Sequence, residues 1–191
     1  MPKVTSAVRR TGASVWTTAE RLANRVTHAR RRRRLAGQIA GDPRPERILV
    51  ICHANLCRSP YMAAVLQRLV PNVQVTSAGL LGAGRRVPPE ALQCARAHDV
   101  DLSAHRSTLL TRAIIDAADL VIVMEPRQAR MLIRGYRVPA DRVVIAGDLD
   151  PRNEDPRRIE DPWGGDVAMF EHTFLRLGRC ARALVRMFPP S

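Results

Sequence analysis

A chain of 191 residues, 46% of them hydrophobic, is long enough for one ordinary domain with a sizeable core plus an extra segment. Its formal charge of +13 is unevenly placed, since residues 1–46 hold 11 basic and 3 acidic side chains and so supply +8 of it. Four cysteines with no paired CxxC spacing and no accompanying His pattern argue against a disulfide scaffold and a zinc site; neither an apolar run of about 18 residues nor a charged-then-apolar leader is present, so neither a membrane span nor secretion is expected.

Residues 1 to about 13 are polar without periodicity and are expected to be disordered. From Ser14 to Ala36 the pattern changes: Val15, Ala19, Leu22 and Val26 recur at helical spacing, while Arg21, Arg25 and the run from Arg30 to Arg34 fill the remainder. The result is a basic amphipathic helix, suited to an anionic membrane surface or an acidic partner, or equally a solvated extension. Aromatics, at 4%, are too sparse for a surface that stacks bases, so no specific nucleic acid is expected. Gly41-Asp42-Pro43-Arg44-Pro45 reads as a linker. The expected division is therefore a basic N-terminal extension and linker over 1–46 and a folded domain over 47–191.

The domain opens on its most informative stretch. Ile48 to Ile51 is a short aliphatic strand that ends at Cys52. Ser59 offers an N-cap oxygen and Pro60 a preset first helical residue, which predicts a helix from there through Leu69. The loop between them, His53, Ala54, Asn55, Leu56 and Cys57, is squeezed between a strand end and a helix N-terminus. Amide N–H groups there can turn inward as an anion-binding nest, reinforced by the helix dipole, with Asn55 suited to a left-handed position. Arg58 closes the ring with a planar guanidinium that can hold two phosphate oxygens. At the base of that ring the positive field is expected to hold the Cys52 sulfur as thiolate, below the free thiol value of about 8.5, and so make it a nucleophile aimed at phosphorus. Ser59 can donate a hydrogen bond to the same sulfur.

Val73 to Ser77 predicts a second strand, followed by a Gly-rich loop through Gly84 and a helix from Pro88-Pro89-Glu90 to near His98. Leu120 to Met124 is a third strand, Arg127 to Arg134 a helix and Arg142 to Ala146 a fourth strand. The closing helix, Val167 to Met187, sets Phe170, Phe174, Leu177, Ala181, Leu184 and Val185 on one face. Strands alternating with helices predict an α/β fold of the three-layer, Rossmann-like kind: a four-stranded parallel sheet with helices on both faces, plus the basic helical extension. Ligands of such sheets sit at the carboxyl ends of strands, where Cys52 lies.

Thiolate attack on a phosphate ester leaves an oxyanion that a carboxylic acid on a separate loop can protonate. Three Asp-Pro pairs stand late in the chain, Asp150-Pro151, Asp155-Pro156 and Asp161-Pro162. Most such pairs are turns. Asp161 is singled out because Trp163 follows it, an aromatic wall for a phenyl phosphate.

These residues carry a resemblance. Cys52-His53-Ala54-Asn55-Leu56-Cys57-Arg58-Ser59-Pro60 resembles the loop Cys-x-Gly-Asn-x-Cys-Arg-Ser-Pro of the low-molecular-weight protein tyrosine phosphatases, and Asp161-Pro162-Trp163 resembles their Asp-Pro-aromatic before the last helix. Ser77-Ala78-Gly79, Asp101 to Arg106 and Asp119 to Met124 are also similar, so the likeness spans about Arg47 to Met187 and nothing before it. The resemblance implies hydrolysis of phosphotyrosine in proteins through a phosphocysteine, with no metal or cofactor; a thiolate nucleophile needs a reducing compartment, so the cytoplasm is expected. It implies Cys52 as nucleophile, Arg58 as phosphate clamp and Asp161 as acid then base; His53 to Cys57, Ser59 and Trp163 as substrate-binding residues; and Ser77 as support for the loop. Three positions depart from the pattern: Ala54 for Gly, Glu125 for Asp after Met124, and one Trp163 followed by Gly164 for an aromatic pair.

Three other functions compete. Arsenate reduction needs a further suitably spaced cysteine pair; Cys94 and Cys180 read instead as helix core. Arginine phosphatases resemble the chain but carry a small hydroxyl residue where Leu56 stands, and a bulky apolar residue there favours an aryl ring. A non-catalytic phosphate-binding scaffold has no use for the acid and the nucleophile together. Cys57 is near enough in the loop for a reversible disulfide with Cys52, or it packs on the sheet.

Overall fold

The structure, a computed structural model, describes residues 18–41, 43–152 and 157–189, with side chains from Val26 onward. The first 17 residues, Asp42 of the expected linker and the Asp155-Pro156 pair lie outside that range.

The elements run α1 (Thr18–Gly41), β1 (Arg47–Cys52), α2 (Arg58–Leu69), β2 (Gln74–Gly79), α3 (Pro89–Ala97), α4 (Arg112–Asp116), β3 (Leu120–Val123), α5 (Pro126–Arg130), β4 (Val143–Ile145), α6 (Ala146–Leu149) and α7 (Val167–Val185), with a π turn over Met131–Gly135 after α5. The four strands form one parallel sheet in the order β2-β1-β3-β4. Both faces are covered because alternate residues of the central strands β1 and β3 are apolar in both directions. Ile48, Val50 and Cys52 join Leu120 and Ile122 under α2, α3 and α7, while Leu49, Ile51, Val121 and Val123 pack with Ile115 and Leu132 on the other side.

With two apolar faces, burial alone does not penalise a one-residue slip of β1. The ends set the register. At one end the Asp119 carboxylate accepts from the backbone N–H of Glu46 (3.0 Å) and Arg47 (2.9 Å). At the other, Cys52 pairs with Gly79, whose lack of a side chain admits the loop after β1. The chain leaves β1 for β2 on one side and reaches β3 on the other, so the carboxyl end of β1 is the topological switch point.

Of the apolar stripe expected on helix α1, Val15, Ala19 and Leu22 lie outside the described side chains and only Val26 is described. Val26, placed on the apolar stripe, is 45% exposed, and the helix runs on to Gly41. The packed face comes later and is mixed: Leu35 and Ile39 enter the main core, the His28 ring donates from Nε2 to the Asp150 carbonyl (2.8 Å), and Arg31 pairs with Asp148 (3.0 Å). A helix that docks through ion pairs and a histidine carries no clean apolar period.

Helix α2 also begins differently. It starts at Arg58, with Cys57 in the cap position and no side-chain cap, so Ser59 is not its N-cap and Pro60 is its third residue. The Ser59 hydroxyl is spent on the Cys52 sulfur instead. Elsewhere β2 extends to Gly79, β3 stops at Val123, and β4 gives way to α6 at Ala146. No helix among the described residues is long and apolar enough to cross a membrane.

Candidate active site

Cys52 ends β1 almost fully buried, and two donors meet its sulfur: the Asn55 backbone N–H at 3.2 Å and the Ser59 hydroxyl at 3.1 Å. Donors on two sides are the set an anionic sulfur calls for. The loop that supplies them is tied from outside. Leu80 N–H donates to the His53 carbonyl (2.7 Å), and His105 Nε2 donates to the Asn55 carbonyl (2.9 Å). In a planar trans peptide the C=O and the following N–H point in opposite directions, so the N–H groups of Ala54 and Leu56 are turned away from those ties, and both residues line the cleft.

Asn55 is the brace of the loop. It takes the left-handed conformation (φ 56°) that Asn tolerates, and Ala54 does not, so the Gly-to-Ala departure asks for no special backbone at that position. The Asn55 side chain donates from Nδ2 to the hydroxyls of Ser59 (2.9 Å) and Ser77 (2.8 Å), and its Oδ1 accepts from Thr108 N–H (2.8 Å). Ser77 thus touches the loop through Asn55.

Gly79 seals this support from below. A Cβ there would lie 2.6 Å from Asn55 N and 2.7 Å from the Ala54 carbonyl carbon, both backbone. Gly79→Ala is accordingly expected to cost about 1–3 kcal/mol in overpacking, read as a lower urea midpoint. An unchanged midpoint would show that the loop yields freely.

Arg58, 3% exposed, is the cation of the cleft. Its Nη1 donates to the Ile159 carbonyl (3.1 Å), Nη2 is bonded to the Asp161 carboxylate, and buried Nε has no acceptor among the described residues. A buried donor without a partner is costly, and a phosphate oxygen is the partner a guanidinium edge fits. Cys52, His53, Ala54, Leu56, Cys57 and Arg58 line a cleft of about 260 Å³, whose other walls are Asp161, Trp163, Leu81 and Arg85.

Asp161 is delivered by a segment anchored at both ends. Behind it, Ile159 is fully buried, and its N–H donates to the Met124 carbonyl at 2.8 Å. At the segment's start Asp148 binds Arg157 (2.7 Å) and Arg31 (3.0 Å), while buried Asp150 binds Arg176 (2.9 Å) and Arg179 (3.3 Å). Of the Asp-Pro pairs, then, Asp150 is enclosed by structural ion pairs and Asp161 faces the cleft. Trp163, 54% exposed, stands at the mouth with the Arg85 guanidinium 5.7 Å from its ring centre.

All four cysteines are free, and only Cys52 and Cys57 line the cleft. Burial first, then the nearby Cys52 and Asp161, push the Cys57 thiol up; burial and Glu171 push Cys94 up to about 12, and burial and Asp150 do the same to Cys180. All three therefore remain thiols at neutral pH.

Most residues singled out in the sequence converge here: Cys52, His53, Ala54, Leu56, Cys57, Arg58, Asp161 and Trp163 on the cleft, Ser59 beneath the sulfur and Ser77 behind the loop; Asn55, expected to bind substrate, is fully buried behind the loop with its side chain spent on Ser59, Ser77 and Thr108. Sequence reasoning missed Leu81, Arg85 and His105. Arg85-Arg86 just after the Gly-rich loop was the available signal for one; His105 lay in the family-like stretch Asp101 to Arg106, but its bond to a backbone atom 50 residues away was not legible.

Comparison with known proteins gives one answer. The sequence profile of the low molecular weight phosphotyrosine protein phosphatases matches residues 47–188. A probable low molecular weight protein-tyrosine-phosphatase, EpsP, of Ralstonia solanacearum is 33% identical over 140 residues, which cover 72% of this chain and 92% of that one. Among solved structures, Vibrio vulnificus Wzb in complex with benzylphosphonate superposes with a TM-score of 0.66 at 30% identity, over 74% of this chain and 98% of that one. The YwlE arginine phosphatase of Geobacillus stearothermophilus does so with 0.67 at 28%, over 74% and 92%.

Proposed function

This chain belongs to the low molecular weight phosphotyrosine protein phosphatase family, and from that premise we propose that it hydrolyses phosphotyrosine in proteins through a phosphocysteine on Cys52. One observation carries the reading: a doubly hydrogen-bonded sulfur, an arginine whose buried Nε has no acceptor among the described residues and a carboxylate share a cleft large enough for an aryl phosphate.

The phosphate enters above Cys52 and takes donors from Ala54 and Leu56 N–H and from Arg58. To do so it competes with Asp161 for Arg58 Nη2, which frees the carboxyl for the ester oxygen. The sulfur attacks phosphorus as the P–O bond breaks, and Asp161 gives its proton to the departing phenolate. Water then attacks the phosphocysteine, Asp161 takes the water's proton, and the Ser59 hydroxyl stabilises the sulfur as it leaves. Backbone and guanidinium donors holding the three equatorial oxygens supply the electrostatic part.

Leu56, Leu81 and Trp163 make the walls apolar, which favours a flat ring over the polar guanidinium of phosphoarginine; the likeness to a Wzb that binds benzylphosphonate supports the same choice. Side-by-side assay of phosphotyrosine, phosphoarginine and arsenate tests this. Phosphotyrosine is expected to turn over fastest, with a phosphoryl group found on Cys52 by mass spectrometry after acid quench. Faster loss of phosphoarginine would move the protein to the arginine phosphatases.

The chemistry needs a reduced thiol, which supports a cytoplasmic setting. For the N-terminal helix, exposed Arg30, Arg33 and Arg34, and a cleft lined by Arg32, Arg179, Arg182 and Arg186, support contact with an anionic membrane surface. Co-sedimentation with phosphatidylserine vesicles at low ionic strength is expected, and equal retention on neutral vesicles would refute it.

A further inference from the structure

The closing turn of α3 and the first turns of α7 bring three ligand-type side chains together away from the cleft. Cys94 and His98 stand one helical turn apart and so share a face. Glu171 meets them from α7: the Cys94 thiol donates to Oε2 at 3.2 Å, and His98 Nε2 lies 2.9 Å from Oε1 and 3.0 Å from Oε2. The sulfur, the ring nitrogen and a carboxylate oxygen all fall within 4.8 Å of one another. The thiol is buried, whereas the side chains of His98 and Glu171 are 23% and 41% exposed, so the group has an apolar floor and an open side. The histidine is held from behind by Tyr61, whose ring meets it edge-on at 6.2 Å and stacks on Phe174 at 3.9 Å.

We infer that Cys94, His98 and Glu171 form a Zn²⁺ site, with water in the fourth position, that ties α3 to α7. Sulfur, imidazole and carboxylate are the three donor types zinc takes, and a sulfur donor disfavours Mg²⁺ and Ca²⁺. Zinc bonds of about 2.0–2.3 Å in a tetrahedron set the ligand atoms roughly 3.3–3.6 Å apart. The two contacts to the Glu171 carboxylate are shorter by a few tenths of an ångström, and the sulfur and ring nitrogen lie within 4.8 Å of each other, so side-chain movements of about an ångström suffice. Binding is balanced simply: the Cys94 S–H bond breaks, its proton leaves to solvent, and the sulfur lone pair binds the ion while neutral His98 and ionised Glu171 add theirs. No oxidation is involved. The ion would act on α7 and, through Tyr61, on α2, not on the phosphoryl group, so the inference stands whether or not the phosphatase reading does.

Because the Cys52 sulfur is itself a candidate thiolate ligand, the test uses the full chain carrying Cys52→Ser. Calorimetric titration with Zn²⁺ is expected to show one site, and titration with Co²⁺ a sulfur-to-metal charge-transfer band with the strong visible absorption of tetrahedral cobalt. Adding Cys94→Ser should abolish the charge-transfer band. His98→Ala and Glu171→Gln, both at partly exposed side chains, should each weaken Zn²⁺ by more than the roughly 10–100-fold that loss of an outer-shell partner costs. Absence of a thiolate–cobalt band, a band that survives Cys94→Ser, or Zn²⁺ affinity unmoved by both His98→Ala and Glu171→Gln would each overturn the site and leave the three residues as a hydrogen-bonded clasp.

Discussion

Cys52→Ser is expected to lower turnover of an aryl phosphate by about 10⁵-fold or more, the scale on which loss of a covalent nucleophile acts. The substitution is nearly isosteric, and the donors that now meet the sulfur, Asn55 N–H and the Ser59 hydroxyl, remain to meet an oxygen. What changes is the atom. An aliphatic hydroxyl does not ionise near neutral pH, and no base lies among its hydrogen-bond partners to take its proton. The Ala54 and Leu56 amides and Arg58 are untouched, so inorganic phosphate should bind the variant about as well as the wild type. Steady-state kinetics with calorimetric phosphate binding separates the two quantities. Activity within tenfold of wild type would remove Cys52 from the chemistry, and the loss of phosphate binding would mean that the loop had collapsed. Another buried cysteine sharpens the comparison: Cys180 lies off the cleft and stays protonated, so Cys180→Ser should leave turnover near wild type.

How far the sequence alone reaches depends on how local each cause is. Strand β1 was legible because four aliphatic residues, Ile48 to Ile51, end at a functional cysteine, and β3 because four aliphatic residues in a row suit a doubly covered strand. The left-handed Asn55 was legible too, since few side chains tolerate that conformation. Helix α2 was misplaced by two residues at its start because Ser59-Pro60 is a sound capping signal locally, yet the hydroxyl finds a better use on Cys52. Helix α6 left no trace: Ala146-Gly147-Asp148-Leu149 has no period, and its position follows from Asp148 and from Gly147, where a Cβ would collide with the Arg157 carbonyl oxygen. The face on which α1 docks escaped for the same reason, since it answers to aspartates 117 and 122 residues away. The Cys94–His98 spacing was present in the sequence as a one-turn pair; its third member, on another helix, was not.

Asp161→Ala is expected to lower turnover by roughly 10²–10⁴-fold, the usual contribution of a positioned acid. The size should depend on the ester. A phenolate that is already a good leaving group needs little protonation, so the loss is smallest for acidic phenols and grows toward phenyl phosphate and phosphotyrosine. Binding should move the other way. In the present geometry the Asp161 carboxylate occupies Arg58 Nη2, a donor the substrate phosphate requires, so removing the carboxylate leaves the guanidinium wholly available and KM is expected to stay level or fall. Asp161→Asn separates the two effects: its side-chain oxygen can still accept from Arg58, as Asp161 does now, but it has no acidic proton to give, so it should share the turnover defect and not the gain in binding. A leaving-group series run on wild type, Asp161→Ala and Asp161→Asn decides the matter. Equal losses across all phenols would show that Asp161 positions Arg58 and transfers no proton; a steep dependence in both variants assigns it the proton. The anchoring of Ile159 by the Met124 backbone makes that outcome physically reasonable, because the acid is carried by a segment fixed two residues before it and needs only a side-chain rotation to pass from Arg58 to the ester oxygen.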